Sequence, residues 1–328
     1  MTRQQSSPLV ELANAGKYQG IENRIKEVSV SLPAQDKTKI TGRFFYLDFS
    51  NSEPNQEMFI EYMFREIDRY CIPRKEFRKA ENKYDKDRDE SVFIELHEKA
   101  VRLFVYSNRD RGAHLGEPAE LIAFMLLEAF FDAPQIACKM SLKTSTSMPV
   151  HGADAIHMRY HEDTECLDII WGEAKLYTDL QKGINEAIES VNHFVTLDKD
   201  TGIKPQNRDI EIIKDFPDVD NDAMQQAICD YFDPYSDKSS KVQHIYSCFV
   251  GYDETIYKNL QGSTQEEIEE YFKKKYIEKA VKTYNTFSQK VKNEGLSEME
   301  FVLLLLPFKD IQKLRDEFRA KLRVTPND

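Results

Sequence analysis

The stretch WGEAKLY, residues 171–177, places a glutamate and a lysine two positions apart in a segment that otherwise has the composition of a buried strand. Residues two positions apart in a strand share a face, so Glu173 and Lys175 project to the same side as Trp171. Burying an ion is unfavourable unless the ion is paired or bound to a cation. Two interpretations are therefore open: a buried ion pair near the end of a strand, or a site that uses both charges.

The chain before this stretch predicts a hairpin partner. GADAIHMRY, residues 152–160, is a second strand candidate, and EDTE, residues 162–165, has the composition of a turn. A turn centred on EDTE sets Asp154 directly opposite Glu173, and a turn one residue longer or shorter would move Asp154 to the other face. The same register places three apolar pairs on one face: Ile156 with Trp171, Met158 with Ile169, and Tyr160 with Leu167.

A helix adds a fourth polar group. GEPAELIAFMLLEAFFDAP, residues 116–134, carries Pro118 where a first helical turn accepts it, and a second proline follows the last apolar residue. Glu120 is the polar start of an apolar stripe that continues through Phe124, Leu127 and Phe131. Glu117 lies one turn earlier, so it remains a second candidate for the same role.

Carboxylates that converge beside a lysine form a hard oxygen site. Mg²⁺ binds through one or two carboxylates together with phosphate and water, and Mn²⁺ could substitute for it. We therefore predict Asp154, Glu173 and Glu120 as metal ligands and Lys175 as the group that orients or deprotonates an attacking water. The four residues together are a far more specific signal than the tripeptide Glu-Ala-Lys.

The order of predicted elements extends this pattern. The helix is followed by three strand candidates, a second amphipathic helix at 179–197, and a further strand, KVQHIYSCFVGY, at 241–252. The first of the three strand candidates is IACKMSLK, residues 136–143. This α-β-β-β-α-β order, with a helix glutamate, a Gly-x-Asp and a Glu-x-Lys, resembles the PD-(D/E)XK nuclease superfamily over about residues 117–250. Ala153 departs from the superfamily, in which a proline often precedes the aspartate.

A narrower resemblance covers four segments. GEPAELIAFMLLEAFF, HGADAIHMRY, WGEAKLY and the later FVLLLLPF at 301–308 resemble the nuclease subunits of the Hachiman anti-phage defence system, the HamA family. On that resemblance Glu120, Asp154, Glu173 and Lys175 occupy the four motif positions. The resemblance implies a Mg²⁺-dependent deoxyribonuclease that works in the cytoplasm with a helicase subunit, HamB.

The predicted fold class is α/β (α+β), with a mixed central sheet flanked by helices in a PD-(D/E)XK core and an N-terminal α+β extension. Residues 1–105 form the extension, with strands predicted at VSVSL (28–32) and GRFFYLDF (42–49), and it is a possible surface for docking a partner. Residues 106–328 form the nuclease domain. That domain contains an acidic insertion at 198–240 and ends in a helix, a strand and a helix.

Composition limits how the chain can meet DNA. The 328 residues carry a formal net charge of −12, which argues against binding nucleic acid through overall electrostatics. No apolar run is long enough for a signal peptide or a membrane span, so we expect no membrane association. Five cysteines in apolar contexts without a Cys-x-x-Cys pair fit reduced, buried thiols.

Other polar residues near the motif are weaker candidates. His151, His157 and His161 cluster in the sequence, but the predicted register directs His157 and His161 away from Asp154. His151 could flank the site. Three side chains around the start of the second helix could meet a phosphate or could simply be solvated: Tyr177, Gln181 and Lys182.

Two functions other than a nuclease remain open at this stage. The chain could be a catalytically quiescent subunit that keeps the nuclease fold and serves as a protein or DNA binding module, which the acidic composition favours. It could also hydrolyse small phosphates. Against a binding module, a scaffold gains nothing from two acids and a lysine on one face, because uncompensated charge destabilises it.

Overall fold

The computed structural model describes residues 7–14, 20–32, 38–109, 117–142 and 152–322. Of the predicted site residues, His151 lies outside this part of the chain. Glu117 begins a helix, but its side chain is also outside the described part.

Strands occupy eight segments of the described chain. They are β1 (Ile25–Val28), β2 (Lys39–Leu47), β3 (Phe49–Ser50), β4 (Glu53–Pro54), β5 (Ala155–His161), β6 (Cys166–Tyr177), β7 (Val242–Asp253) and β8 (Glu300–Phe308).

Helices fill most of the remaining chain. They are α1 (Pro8–Asn14), α2 (Gln56–Cys71), α3 (Arg74–Asp87), α4 (Ser91–Arg109), α5 (Glu117–Phe131), α6 (Lys139–Leu142), α7 (Leu180–Val195), α8 (Pro205–Asp215), α9 (Asp222–Phe232), α10 (Gln265–Asn293) and α11 (Ile311–Leu322). Short 3₁₀ helices cover Ile21–Asn23, Asp237–Lys241 and Thr255–Lys258.

Six of the strands form one mixed sheet in the order β1-β2-β8-β7-β6-β5. The inner neighbours β2, β8, β7 and β6 run parallel, whereas β1 and β5 pair antiparallel at the two edges. Strand β8 is buried along almost its whole length, which explains its unbroken apolar sequence, because an inner parallel strand is covered on both faces. The predicted mixed sheet flanked by helices is confirmed.

Helices cover both faces of the sheet and give two cores. On one face, α7 and α10 pack on alternate residues of the strands, including Trp171 and Ile169. On the other face, α2, α4, α5 and α11 enclose the intervening residues, including Ile170 and Leu176. Successive side chains of β6 therefore enter different cores, as the alternation of a strand requires.

The predicted N-terminal extension and the acidic insertion both contribute residues to these cores. Strands β1 and β2 belong to the sheet that β8 completes, and the boundary predicted near residue 105 falls within α4. The acidic insertion forms α8 and α9, which bury Ile213, Ile228 and Tyr231 against the α7 face.

Within the described residues, no helix is both long enough and apolar enough to cross a membrane.

Two strand predictions are wrong. The strand predicted at VSVSL ends at Val28, since pairing with β2 stops at Phe44, and Val30 and Leu32 pack on the core without strand pairing. The alternation of apolar residues in VSVSL reflects side-chain burial, and burial does not require a hydrogen-bonded partner strand.

The strand predicted at IACKMSLK is replaced by a short contact and a helical turn. Pro134 and Ile136 exchange single bonds with β5, from Met158 N to Pro134 O and from Ile136 N to Ile156 O, and α6 then begins at Lys139. Proline lacks the N–H that a ladder needs, which limits strand pairing at this edge.

The predicted burial of the cysteines is confirmed for three of them. Cys71, Cys138 and Cys248 are buried, whereas Cys166 and Cys229 are partly exposed, and all five thiols are free.

Arg74, the first residue of α3, links the N-terminal helices to the rest of the chain. Its guanidinium contacts Glu128 Oε1 at 3.3 Å and Asp218 Oδ2 at 3.3 Å, and it donates to the carbonyl of Gln135 at 2.5 Å. Its backbone N–H donates to Asp218 Oδ1 at 2.7 Å. Both carboxylates are buried. One arginine therefore balances two buried acids from different parts of the sequence.

We expect Arg74→Met to lower the free energy of unfolding by about 3–5 kcal/mol, because it leaves two buried carboxylates without their cation. Denaturant unfolding measures this loss. The matched control is Arg78→Met in the same helix, whose 57% exposed side chain pairs with Glu81 and Asp220. That change should cost less than about 1 kcal/mol. Equal effects of the two substitutions would contradict this account.

Candidate active site

The hairpin of β5 and β6 has the predicted register. Ile156 pairs with Trp171, and the pairs Met158–Ile169 and Tyr160–Leu167 follow. The paired residues end at Ala155 and Gly172, and one residue further on the N–H of Asp154 donates to the carbonyl of Gly172 at 2.8 Å. Asp154 therefore sits at the open end of the hairpin, as the sequence predicts.

Three of the predicted side chains come together at this end. Asp154 Oδ2 accepts a hydrogen bond from the N–H of Ala174 at 2.9 Å. Glu173 Oε1 lies 2.5 Å from Lys175 Nζ, and these two side chains are only 12% and 20% exposed. The hydroxyl of Ser190, on α7, also hydrogen-bonds Glu173. The structure thus holds two acids and one lysine in a partly closed space.

A cavity of about 840 Å³ opens beside these groups. Asp154 and Glu173 form part of its wall, and the facing wall comes from α7 and from the start of the insertion. The residues of that facing wall that bear on charge are Glu186, Glu189, His193, Asp198 and Arg208. We refer to this space as the α7 cavity. Acids predominate among the charged residues on its walls.

The surroundings of Asp154 and Glu173 disfavour the ionised form of both carboxyl groups. Burial raises the pKa of Asp154 well above its usual range, and the charges of Glu173 and Glu120 raise it further, against Lys175 and the Ala174 N–H. Burial likewise raises the pKa of Glu173, although Lys175 and Ser190 act in the opposite direction. Negative charge here is under-compensated by the protein itself. Such groups mark candidate functional sites.

Lys175 keeps its proton. Burial by itself would lower the pKa of its ammonium, but the neighbouring charges of Glu173 and Asp154 outweigh that effect, and the pKa is raised. The side chain is therefore a cation near neutral pH. Its position suits a group that donates hydrogen bonds to an anion more than one that removes a proton.

Glu120 approaches from the other side. It lies in α5, on the opposite face of the sheet, where it is buried and accepts a hydrogen bond of 2.7 Å from the hydroxyl of Tyr70. Its charge raises the pKa values of Asp154 and Glu173, so it lies within electrostatic range of both, but it does not line the α7 cavity. The described residues contain no group of three or more His, Cys, Asp or Glu side chains arranged to hold a metal.

Two histidines of the predicted cluster, His157 and His161, have partners away from Asp154. His157 is fully buried, where its Nδ1 lies 2.8 Å from the carbonyl of Ala133 and its ring packs on Phe124. Burial lowers its pKa to about 4. His161 Nε2 lies 2.8 Å from a carboxylate oxygen of Asp168. Both rings point away from Asp154, as the predicted register requires.

The three weaker candidates, Tyr177, Gln181 and Lys182, have partners around the first turn of α7. Tyr177 donates to the carboxylate of Glu186, and the ammonium of Lys182 lies 5.0 Å from the centre of the Tyr177 ring. Gln181 Nε2 donates to Asn185 at 3.1 Å. Lys182 and Gln181 are exposed, so they remain available to a ligand that reaches this end of the helix.

Ser190 and His193 are cavity residues that the sequence analysis did not identify. Both lie on the polar flank of the amphipathic stripe of α7, which the sequence did predict. The sequence did contain one signal that could have identified Ser190 and His193. Both lie beside the buried face of a helix that follows the Glu-x-Lys strand.

The family model named HamA matches residues 22–322 of the chain. A search of curated proteins found no match. The matched range contains Glu120, Asp154, Glu173 and Lys175, together with the strands of the six-stranded sheet.

We expect Asp154→Asn to stabilise the fold near neutral pH, because burial and the charges of Glu173 and Glu120 disfavour the ionised carboxylate of Asp154 in the folded chain and raise its pKa. The amide keeps the shape and the acceptor for the Ala174 N–H. The gain should be largest at about pH 8, where an aspartate of the unfolded chain, with an ordinary pKa of about 4, is fully ionised. The raised pKa makes wild-type stability fall as pH rises from the ordinary aspartate range through the raised value.

The gain of the variant should therefore shrink toward about pH 5 and vanish below the ordinary pKa of aspartate. Denaturant unfolding of both proteins across this range measures it. A variant less stable than the wild type at every pH would show that the carboxylate is compensated within the fold.

Proposed function

The chain belongs to the HamA family, and from this membership and the geometry at Asp154 we propose that it is a metal-dependent DNA nuclease that hydrolyses phosphodiester bonds. Membership confirms the family predicted from the motifs and indicates a subunit of the Hachiman anti-phage defence system. The observation that carries the catalytic part is the position of Asp154 and Glu173 on the wall of the α7 cavity, with Lys175 paired to Glu173, at one end of a hairpin. We assign this hairpin to a PD-(D/E)XK core.

The donor set fits Mg²⁺. Asp154 and Glu173 offer carboxylate oxygens with raised pKa values beside an open cavity, and Mg²⁺ takes one or two carboxylates and completes its shell with water and phosphate. Such an ion supplies activation of water and neutralisation of charge on a phosphate. Glu120 adds negative charge from the far side of the sheet and so favours a cation at the other two acids. Mn²⁺ is an expected substitute.

Lys175 is assigned an electrostatic role. In the free chain its ammonium is held by Glu173 at 2.5 Å. The ammonium would donate a hydrogen bond to a non-bridging oxygen of the substrate phosphate, or would orient the water that attacks phosphorus. Its raised pKa supports charge stabilisation of the phosphorane over proton abstraction.

The competing assignment is a quiescent subunit that keeps the nuclease fold as a binding module. The acidic composition is compatible with it. It gives no task to Asp154 and Glu173. The charge of Glu173 raises the pKa of Asp154, and the charge of Glu120 raises the pKa of both carboxyls. The nuclease assignment accounts for these charges.

We expect three substitutions to separate metal binding from chemistry. Asp154→Asn and Glu173→Gln should weaken Mg²⁺ or Mn²⁺ binding in calorimetry and abolish DNA cleavage, because an amide is a poorer ligand than a carboxylate. Lys175→Met should retain metal binding and slow cleavage by about a hundredfold or more. Digestion of plasmid and linear single-stranded DNA, with Mg²⁺ against EDTA, provides the rate.

The control for this experiment is Lys313→Met, a 65% exposed lysine on α11, which should cut at the wild-type rate. Cleavage by Glu173→Gln or Lys175→Met at the wild-type rate would refute the site. A wild-type chain that cuts no DNA with either metal, alone or with its partner, would support the binding module instead.

The charge of the chain leads to the second part of the proposal, a helicase partner. A net charge of −12 gives no general attraction to a polyanion, and the α7 cavity carries Glu186, Glu189 and Asp198 on its walls. We propose that a helicase subunit, HamB, delivers DNA to the nuclease and controls it. Membership of the HamA family supports an assembly of this kind. The docking surface is assigned to the N-terminal unit or to the acidic insertion.

We expect the chain to co-purify with the helicase subunit HamB. Without that partner it should bind duplex DNA weakly at physiological salt. Exposed apolar side chains allow the two surfaces to be distinguished. Ile94, 62% exposed on α4, represents the N-terminal unit, and Ile203, 46% exposed before α8, represents the insertion. Ile94→Lys or Ile203→Lys should reduce co-purification, depending on which surface docks. A chain that never associates with the helicase and binds DNA tightly alone would refute the partnership.

A further inference from the structure

A fully buried ion pair lies behind the candidate site. Lys139 Nζ, in the first turn of α6, is 2.9 Å from Asp209 Oδ2 on α8, and the two side chains are 5% and 0% exposed. Burying both ions carries a desolvation penalty that the attraction between them often fails to recover. The pair joins segments far apart in the sequence. Neither residue lines the α7 cavity.

The pair holds the backbone that leads into Asp154. The N–H of Ala153 donates to Asp209 Oδ2 at 2.9 Å, and Lys139 Nζ donates to the carbonyl of Ala153 at 2.5 Å. Both polar backbone groups of the residue before Asp154 are therefore bound by the ion pair. On its other side, Asp154 is tied to β6 through the carbonyl of Gly172 and the N–H of Ala174.

Gly152 shows how closely the insertion approaches. A Cβ atom at this position would lie 2.4 Å from both carboxylate oxygens of Asp209. That distance is far inside van der Waals contact, and the obstacle is a fully buried carboxylate that cannot swing away. The glycine of the Gly-x-Asp motif is required because α8 packs directly on the backbone at this point.

We propose that Asp209 and Lys139 are positioning residues, which hold the Gly152–Ala153 backbone so that the carboxylate of Asp154 faces the cavity. This inference rests on the proposed function for its catalytic consequence. It assigns to the acidic insertion a part in building the site, distinct from any docking role.

The test uses the N–H of Ala174 as a reporter. This N–H lies beyond the last paired residue of β5 and donates to the Asp154 carboxylate, so its hydrogen exchange reports whether that carboxylate is in place. The variant is Lys139→Met combined with Asp209→Leu, which removes both buried charges together and so leaves neither unpaired. We expect its melting temperature to fall only modestly, because removing both ions recovers their desolvation penalty, whereas the N–H and the carbonyl of Ala153 lose their partners.

In this double variant, exchange at Ala174 should accelerate by about tenfold or more, because the carboxylate is no longer fixed. The kcat for DNA cleavage should fall by about a hundredfold with little change in KM, since misplacement affects the reacting geometry more than substrate binding. Calorimetry should show weaker Mg²⁺ binding. A folded double variant with wild-type exchange at Ala174, or with wild-type kcat, would show that the pair is only structural and would overturn the proposal.

Two further proteins keep the test decisive. Gly152→Ala displaces the same backbone through its Cβ and should give the same changes even if the double variant fails to fold; unchanged exchange at Ala174 would overturn the proposal. The matched control is Lys26→Met with Glu269→Leu, an ion pair of 3.2 Å that involves the opposite edge strand of the sheet, which should leave Ala174 and kcat unaffected. If the wild-type chain cuts no DNA either alone or with its helicase partner, the proposed function fails, while exchange at Ala174 still decides the positioning role.

Discussion

The antiparallel pairing of β5 with β6 is the constraint on which the candidate site depends. The pairing alternates side chains between two cores, so a slip of one residue would exchange the environments of Trp171 and Ile170 and move Asp154 to the wrong face. Asp154 lies one residue beyond the paired segment. It is held there because its own carboxylate accepts the N–H of Ala174. The register of the hairpin thus sets the relation between Asp154, the residue just before β5, and Glu173.

The electrostatic balance of this end is unusual for a core. Asp154, Glu173 and Glu120 bring three acids within range of one another, whereas Lys175 is the cation whose charge acts on both Asp154 and Glu173. Elsewhere the chain balances buried acids locally, as Arg74 does for Glu128 and Asp218. The contrast marks this end of the hairpin as a place where buried negative charge is not balanced within the protein.

Segments that look accessory in the sequence take part in the geometry of the site. The N-terminal helix α2 supplies Tyr70, which binds Glu120, and α8 of the acidic insertion supplies Asp209, which binds the backbone before Asp154. The insertion also contributes Arg208 to the wall of the α7 cavity. A partner that docks on either segment would therefore lie close, through packed elements, to the groups that position the acids.

The register of the hairpin, the helix that carries Glu120, and the meeting of Asp154, Glu173 and Lys175 were all predictable from the sequence, because period-two alternation and turn length are local rules. Local rules also explain the errors. Alternation in VSVSL reflects burial without a partner strand, and nothing in IACKMSLK indicates that Pro134 limits pairing or that Lys139 turns inward to Asp209. The bond between Glu120 and Tyr70 and the packing of α8 against Gly152 became visible in the folded chain alone. These contacts join residues about fifty positions apart, and their energies depend on desolvation and close approach, which no local pattern records.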